Sequence, residues 1–337
     1  MLKKKKEAYV TIKIIRIQIF KGITMSTDYI KYQNIEYVMP FMFCNDLYIP
    51  LLAEFFKEEE NPVKQVYGTL QTMWAGGRVT ELLPTKIGTI NAYLAKLSKY
   101  NIDAAFTFSN YFLNDEEVND ELSNQILDIT SQYNCYYIVS SEKLYKHIKK
   151  RYPNAKMVCS VVIPFIKRLE GTFKETEFYN KMLDKYEIVV VRPEWTIENA
   201  DNINNIISDP NRLEVLINQP CEYNCPNAKR HYNLLVQWGQ KKITEEYLSE
   251  QEDLFCGARK LNSKPLMFDN SLMQKLINQG IKKYKLQGRT ADFDYLFEDI
   301  YRYFINPKYS KEEIRNKFDF ISARLIQNLP KSAVTML

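Results

Sequence analysis

An α/β fold closed as a (β/α)8, TIM-like barrel is what the sequence predicts, and three observations predict it. Short β-branched runs alternate with longer amphipathic helical patterns along most of the chain. There are eight such runs in about 300 residues, the count and size of a barrel of this kind. Most of the runs are near-continuously apolar, as parallel strands covered on both faces must be. A doubly wound open sheet is the alternative, but no GxGxxG follows a first strand. Gly76-Gly77 follows the second run without the required spacing and reads as a turn.

The strand candidates, in order, are Glu36–Cys44, Lys64–Leu70, Asp103–Phe108, Cys135–Val139, Lys156–Val162, Glu187–Val191, Leu213–Asn218 and Lys283–Gln287. Helical patterns precede the third (INAYLAKLSKY), fourth (NDEEVNDELSNQILDITSQY), fifth (SEKLYKHIKKRY), sixth (ETEFYNKMLDKY) and eighth (NSLMQKLINQG) strands. In each, apolar residues recur at spacings of three and four. Asn114 and Ser141 sit where N-caps belong, and Gly280 where a helix C′ glycine belongs. DFDYLFEDIYRYF and KEEIRNKFDFISARLIQ read as two closing helices.

This divides the chain into a basic extension over residues 1–24, a barrel over 25–307 and a C-terminal helix and tail over 308–337. A long cysteine-bearing insertion follows strand seven, at about 219–269. A second long connection, 71–89, carries Trp74, Gly76, Gly77 and Arg78. Long loops in compact domains tend to be functional, and barrel loops leaving the C-terminal strand ends build active sites.

Composition narrows the class. The chain has 337 residues, 45% hydrophobic and 26% charged, an ordinary globular balance. Its net charge of +5 misleads, because residues 1–24 alone carry +6 and the remainder −1. The body is therefore not a basic nucleic-acid-binding domain by composition. Lys13, Arg16, Gln18 and Lys21 interrupt the leader too often for a membrane span or signal core. An amphipathic surface anchor is the other reading of it. A cytoplasmic protein without a transmembrane segment is expected.

Six cysteines, at 44, 135, 159, 221, 225 and 256, are too sparse for a disulfide framework. In a closed barrel, strands seven, eight and one are neighbours. Cys44, Cys221, Cys225 and Cys256 would then share the C-terminal rim, where four thiolates can hold an iron–sulfur cluster or a zinc ion. Cys256 lies in FCGARK, where Gly257 would let the backbone fold tightly. His231 is the rival fourth ligand, and its near-neutral titration also suits proton transfer. Cys135 falls at the opposite barrel end, and Cys159 reads as a small buried hydrophobe. His147 reads as solvent-exposed on a helix surface. Lys229 and Arg230 read as an exposed helix face.

The stretch Phe268–Phe304 carries a family resemblance. Gly280-Ile281, Lys285-Leu286-Gln287-Gly288-Arg289 and Tyr301-Arg302 occur in the order seen at the barrel end of the U32, or collagenase-like peptidase, family. VLIN-Q-P-C-x3-C falls where that family has its strand-seven cysteines. The sequence resembles a divergent member, with Gln287 where a glutamate is usual and the longer cysteine signature missing.

The resemblance implies a TIM-like barrel and, from the branch with C-x3-C spacing, a [4Fe–4S] cluster with Cys44, Cys221 and Cys225 among its ligands. It implies dioxygen-independent hydroxylation-type chemistry on a small molecule or an RNA base. It also implies a possible U32-type protein partner. Arg289 offers a planar fork for a carboxylate or phosphate, or a salt bridge to a loop carboxylate. Asn218, Arg78, Arg289 and His231 are the candidate catalytic residues. The alternatives are a zinc protein, structural or hydrolytic, and a metal-free accessory subunit. A protease ranks lowest, since no Ser/His/Asp set or HExxH is visible.

Overall fold

Eight parallel strands close on one another in the order β1-β10-β7-β6-β5-β4-β3-β2. They are β1 (Glu36–Met39), β2 (Val63–Gly68), β3 (Asp103–Phe108), β4 (Cys135–Val139), β5 (Lys156–Cys159), β6 (Ile188–Val191), β7 (Leu213–Leu216) and β10 (Lys283–Lys285). The computed structural model describes residues 29–40, 42–43, 47–77, 87–219, 221–260, 266–288 and 293–327. The (β/α)8 barrel expected from the alternation is therefore present, with β10 seated between β7 and β1. The leader 1–24, Cys44, Arg78 and Arg289 lie outside the described residues.

Alternation along each strand splits the core in two. Inward residues including Val38, Tyr67, Ile138, Val158, Val190 and Leu216 form a cluster at the barrel centre. Outward residues such as Tyr37, Val66 and Val189 pack in the main cluster between sheet and helices. Burying each Val, Leu or Ile contributes about 1.5–3 kcal/mol.

Local signals act as read. Asn114 caps Asp115–Val118 in a full capping box with Glu117. Ser141 accepts from Leu144 N–H. After Asn270–Asn278, Gly280 takes φ +89. Gly280 N–H donates to Ile277 O (3.0 Å) and Ile281 N–H to Leu276 O (3.1 Å), the Schellman pairing. An antiparallel bridge between Ile30 and Ile305 ties the start of the described chain to the end of helix Phe293–Phe304. The helix Lys311–Gln327 packs on Tyr48–Phe55, with the Phe318 and Phe55 rings stacked at 4.3 Å.

Four expectations need correction. The fifth strand stops at Cys159, and Val162–Lys167 is a short helix, buried from Val162 to Ile166. A short apolar run is the same in a buried strand and a buried helix, so periodicity could not separate them. The helix Pro193–Asn199, with proline at its first turn, follows the sixth strand as the strand–helix alternation requires. The insertion is no simple loop. It holds two helices, Ala228–Gly239 and Glu245–Lys260, and a two-stranded antiparallel ribbon, β8 (Asn218–Gln219) with β9 (Leu266–Met267), closes its base. Gly257 and Cys256 are in the second of these helices, not at a tight turn.

His147 is half-buried rather than exposed. Its Nε2 meets Asn124 Oδ1 at 2.7 Å and its ring lies edge-on to Trp74 at 5.8 Å. Burial, then Arg151 and Lys150, hold its pKa below the usual value. Lys229 and Arg230 are exposed, as read.

Candidate functional site at the barrel mouth

The C-terminal strand ends open onto a cavity of about 340 Å³. Lys285 is part of its wall. The strand β10 reads K-Y-K, and alternation sends Tyr284 outward into the aromatic layer while Lys283 and Lys285 turn inward. Strand register decides which way Lys285 faces. Lys285 Nζ donates to Glu214 Oε1 at 2.7 Å. Glu214 is the inward residue one step before Leu216 on β7, the neighbouring strand, where Leu216 pairs with Lys285. The ammonium also lies 3.9 Å over the Tyr67 ring, which is held by a bond from its hydroxyl to Leu286 O (2.8 Å).

Glu214 is fully buried and Lys285 is 6% exposed. Removing two charges from water costs several kcal/mol each, offset only by their mutual attraction and further hydrogen bonds. Glu214 Oε2 has no hydrogen-bond partner. Deeper in the barrel, Lys283 bonds Glu36. Burial raises the Asp103 carboxyl, against the pull of Asn134, Lys156 and Lys283.

Asn218, a catalytic candidate by sequence, is held in a network of three hydrogen bonds. Its Nδ2 donates to Gln287 O (3.0 Å) and to Asp299 Oδ2 (2.7 Å), and its Oδ1 accepts from Gln287 N–H (2.6 Å). These bonds take up both amide hydrogens. They stitch the end of β7 to the Leu286-Gln287-Gly288 segment, where Gly288 adopts φ +127. Burial pushes the Asp299 carboxyl up to about 6, with the Asn218 bond and Arg302 opposing.

Cys221 and Cys225 line the same cavity. The loop carrying them is pinned at several points. Asn224, in the left-handed region at φ +51, donates its N–H to Glu194 Oε1 (3.1 Å). Asn224 Oδ1 accepts from Arg192 Nη1 (2.8 Å), and Arg168 bonds the Cys225 carbonyl. Arg192 is fixed in turn by a bidentate bond to Glu175 (2.8 and 2.7 Å). These partners stand at and after the ends of β5 and β6, so the thiol loop takes its shape from the barrel.

His231 also lines the cavity, and its Nε2 donates to Glu252 Oε1 (2.8 Å), joining the two insertion helices. Cys256 is one turn beyond Glu252 on the same helix. Cys221 is exposed as a residue, yet its thiol is pushed up to about 12, by local burial first and then by Cys225, Cys256, Glu194 and Glu252. Each thiolate formed there discourages the next, a penalty that a bound cation reverses. Thiolates are donors of the kind that iron–sulfur and zinc centres take. Among the described residues, however, no three His, Cys, Asp or Glu side chains converge closely enough to hold a metal ion. Cys44 is not among them. Cys135 begins β4 at the far end of the barrel and Cys159 ends β5; both are buried.

Glu214, Tyr67, Arg192, Glu194 and Glu252 escaped the sequence reading. A charged residue at an inward position of an apolar strand was the available signal, in L-E-V-L and K-Y-K-L.

Fold and site together define a (β/α)8 barrel whose mouth holds a buried charge pair, a small-molecule-sized cavity and a cysteine-bearing excursion. Neither a family model nor a curated protein sequence matches the chain. Among solved structures, the U32 peptidase Mk0906 is similar at a TM-score of 0.49 and 9% identity, over 80% of this chain and 98% of that one. No helix among the described residues is long and apolar enough to cross a membrane.

Proposed function

We propose that the protein is an enzyme acting on a small molecule at the barrel mouth, with a thiolate-bound [4Fe–4S] cluster at the cavity rim. Cys221, Cys225 and Cys256, with Cys44 as the fourth ligand, would have to draw together around it, since no three such donors converge among the described residues. The observation that carries this reading is the placement of two thiols on one pinned loop in the wall of a cavity with a buried Lys–Glu pair. When bound, such a cluster supplies one-electron transfer, which fits redox or hydroxylation-type chemistry. The chain's own residues position the thiol loop, through Arg192, Glu194 and Arg168, and present Lys285 to the ligand.

The test is anaerobic purification and reconstitution with iron and sulfide. Iron and acid-labile sulfide in equal amounts, a visible charge-transfer band, and loss of both in Cys221→Ser/Cys225→Ser are expected. Colourless protein after reconstitution would end the cluster reading. The bond from His231 to Glu252 favours a second reading, a zinc centre with His231 as ligand, because zinc-binding histidines are usually oriented by a carboxylate. Zinc found by elemental analysis, without a visible band, would select it. If the serine pair left spectrum, stability and partner binding unchanged, a metal-free accessory subunit would be the better description. An RNA base remains the alternative substrate to a free small molecule.

A further inference from the structure

We infer that the mouth cavity selects a neutral ligand that presents a carbonyl oxygen to Lys285, and that Glu214 sets this selectivity by cancelling the lysine's charge. This rests on the mouth being a small-molecule site, but not on any metal at its rim.

Lys285 is the fixed cation among the described residues lining the cavity. A lone buried ammonium would draw in a carboxylate or phosphate. Lys285 is not alone, because Glu214 Oε1 accepts from it at 2.7 Å. An anion meeting Nζ at about 3 Å would sit roughly twice as far from that carboxylate, whose repulsion cancels roughly half of the attraction. What remains must also offset stripping the anion of water. A carbonyl oxygen incurs far less desolvation and still meets a positively charged donor. The lysine is thereby a polarising group and not an anion receptor.

The rest of the wall extends the description. Thr107 Oγ1 and Gln219 Oε1 are buried, line the same cavity and have no hydrogen-bond partner. The Gln219 amide is oriented by a bond from its Nε2 to Glu194 Oε1 at 3.4 Å, so its oxygen remains an acceptor. It calls for an N–H or O–H donor on the ligand. Ile138, Val190 and Phe165 supply an apolar surface between these groups. The ligand class that satisfies all three is a small neutral molecule with a carbonyl, an apolar body and at least one N–H or O–H group.

Benzamide and benzoate form a matched probe pair, equal in shape and differing in charge. Their binding is measured by calorimetry or ligand-observed NMR, at neutral pH, to three forms of the full chain. In the wild type, benzamide should bind about tenfold or more tighter than benzoate. Glu214→Gln, which leaves Lys285 uncompensated, should reverse the order. Lys285→Met alone would strand Glu214, so the neutral pair Lys285→Met/Glu214→Gln is used. It should lose the benzoate gain and weaken benzamide by about tenfold. Melting curves verify that each form is folded. A wild type that prefers benzoate, or a preference that Glu214→Gln leaves unmoved, overturns the inference. Failure of both probes in every folded form overturns the mouth as a small-molecule site, a result separate from the charge preference.

Discussion

Asn218 Nδ2 lies 2.7 Å from Asp299 Oδ2, a bond that spans 81 positions of sequence and ties the exit of β7 to the helix Phe293–Phe304. The acceptor is a carboxyl that burial pushes up from 3.8 to about 6. Because the folded value is above the unfolded one, the stability Asp299 confers is fully present below about pH 3.8. It is lost as pH rises through about 6. Asp299→Asn, which cannot ionise, should flatten the stability profile across that window. Urea titrations at pH 4 and 7 should show the two proteins' stability difference changing by on the order of 2 kcal/mol, with wild type relatively weaker at pH 7. Parallel profiles would contradict this assignment.

The Lys285–Glu214 pair predicts an asymmetry in denaturant unfolding. Lys285→Met leaves a buried carboxylate without its cation and should cost about 3–5 kcal/mol. The double variant Lys285→Met/Glu214→Gln should recover most of that loss, since no charge is left stranded. If the single and double variants were equally unstable, the cost would lie in shape and not in charge.

Two glycines should behave oppositely when changed to alanine. At Gly76 a Cβ would fall 1.9 Å from Ser109 O and 2.4 Å from Asn110 N, both backbone atoms. Gly76 thus permits a close approach between two loops at the mouth, beyond the turn that the sequence suggested. Gly76→Ala should cost several kcal/mol or displace the loop. At Gly88, in the first turn of helix Ile87–Lys99, a Cβ meets nothing within 4 Å. Gly88→Ala should stabilise by up to about 1 kcal/mol. Melting temperatures of the two variants check both signs.

Arg192 should not tolerate lysine. Its guanidinium reaches both Glu175 oxygens and Asn224 Oδ1 at once, which a single ammonium cannot do. Arg192→Lys should loosen residues 221–225, read as faster amide exchange at Asn224, and cost about 1–3 kcal/mol. Unchanged exchange there would show that Glu194 alone sets the loop.

The barrel was legible because its evidence is local. Each strand is a short apolar run, and Asn114, Ser141 and Gly280 mark helix ends by side-chain or backbone chemistry that acts over a few residues. The site was less legible because its partners come from different strands. That Lys285 faces inward follows from β10 pairing in register with β7, and Glu214 gains meaning only beside it. Cys221 and Cys225 stood out by spacing, but the residues that pin their loop, at 168, 192 and 194, carry no spacing pattern relative to them. Gly257 misled because a glycine beside a cysteine suggests a turn, whereas it lies within the helix Glu245–Lys260. Asn218 carried no sequence signal of its bonds to Gln287 and Asp299, which only the fold brings within reach.

The little ribbon of Asn218–Gln219 against Leu266–Met267 has a mechanical corollary. Because the excursion departs and returns through two residue pairs, it joins the barrel at a single closed neck. Arg192 and Arg168 then steady it against the barrel from the side.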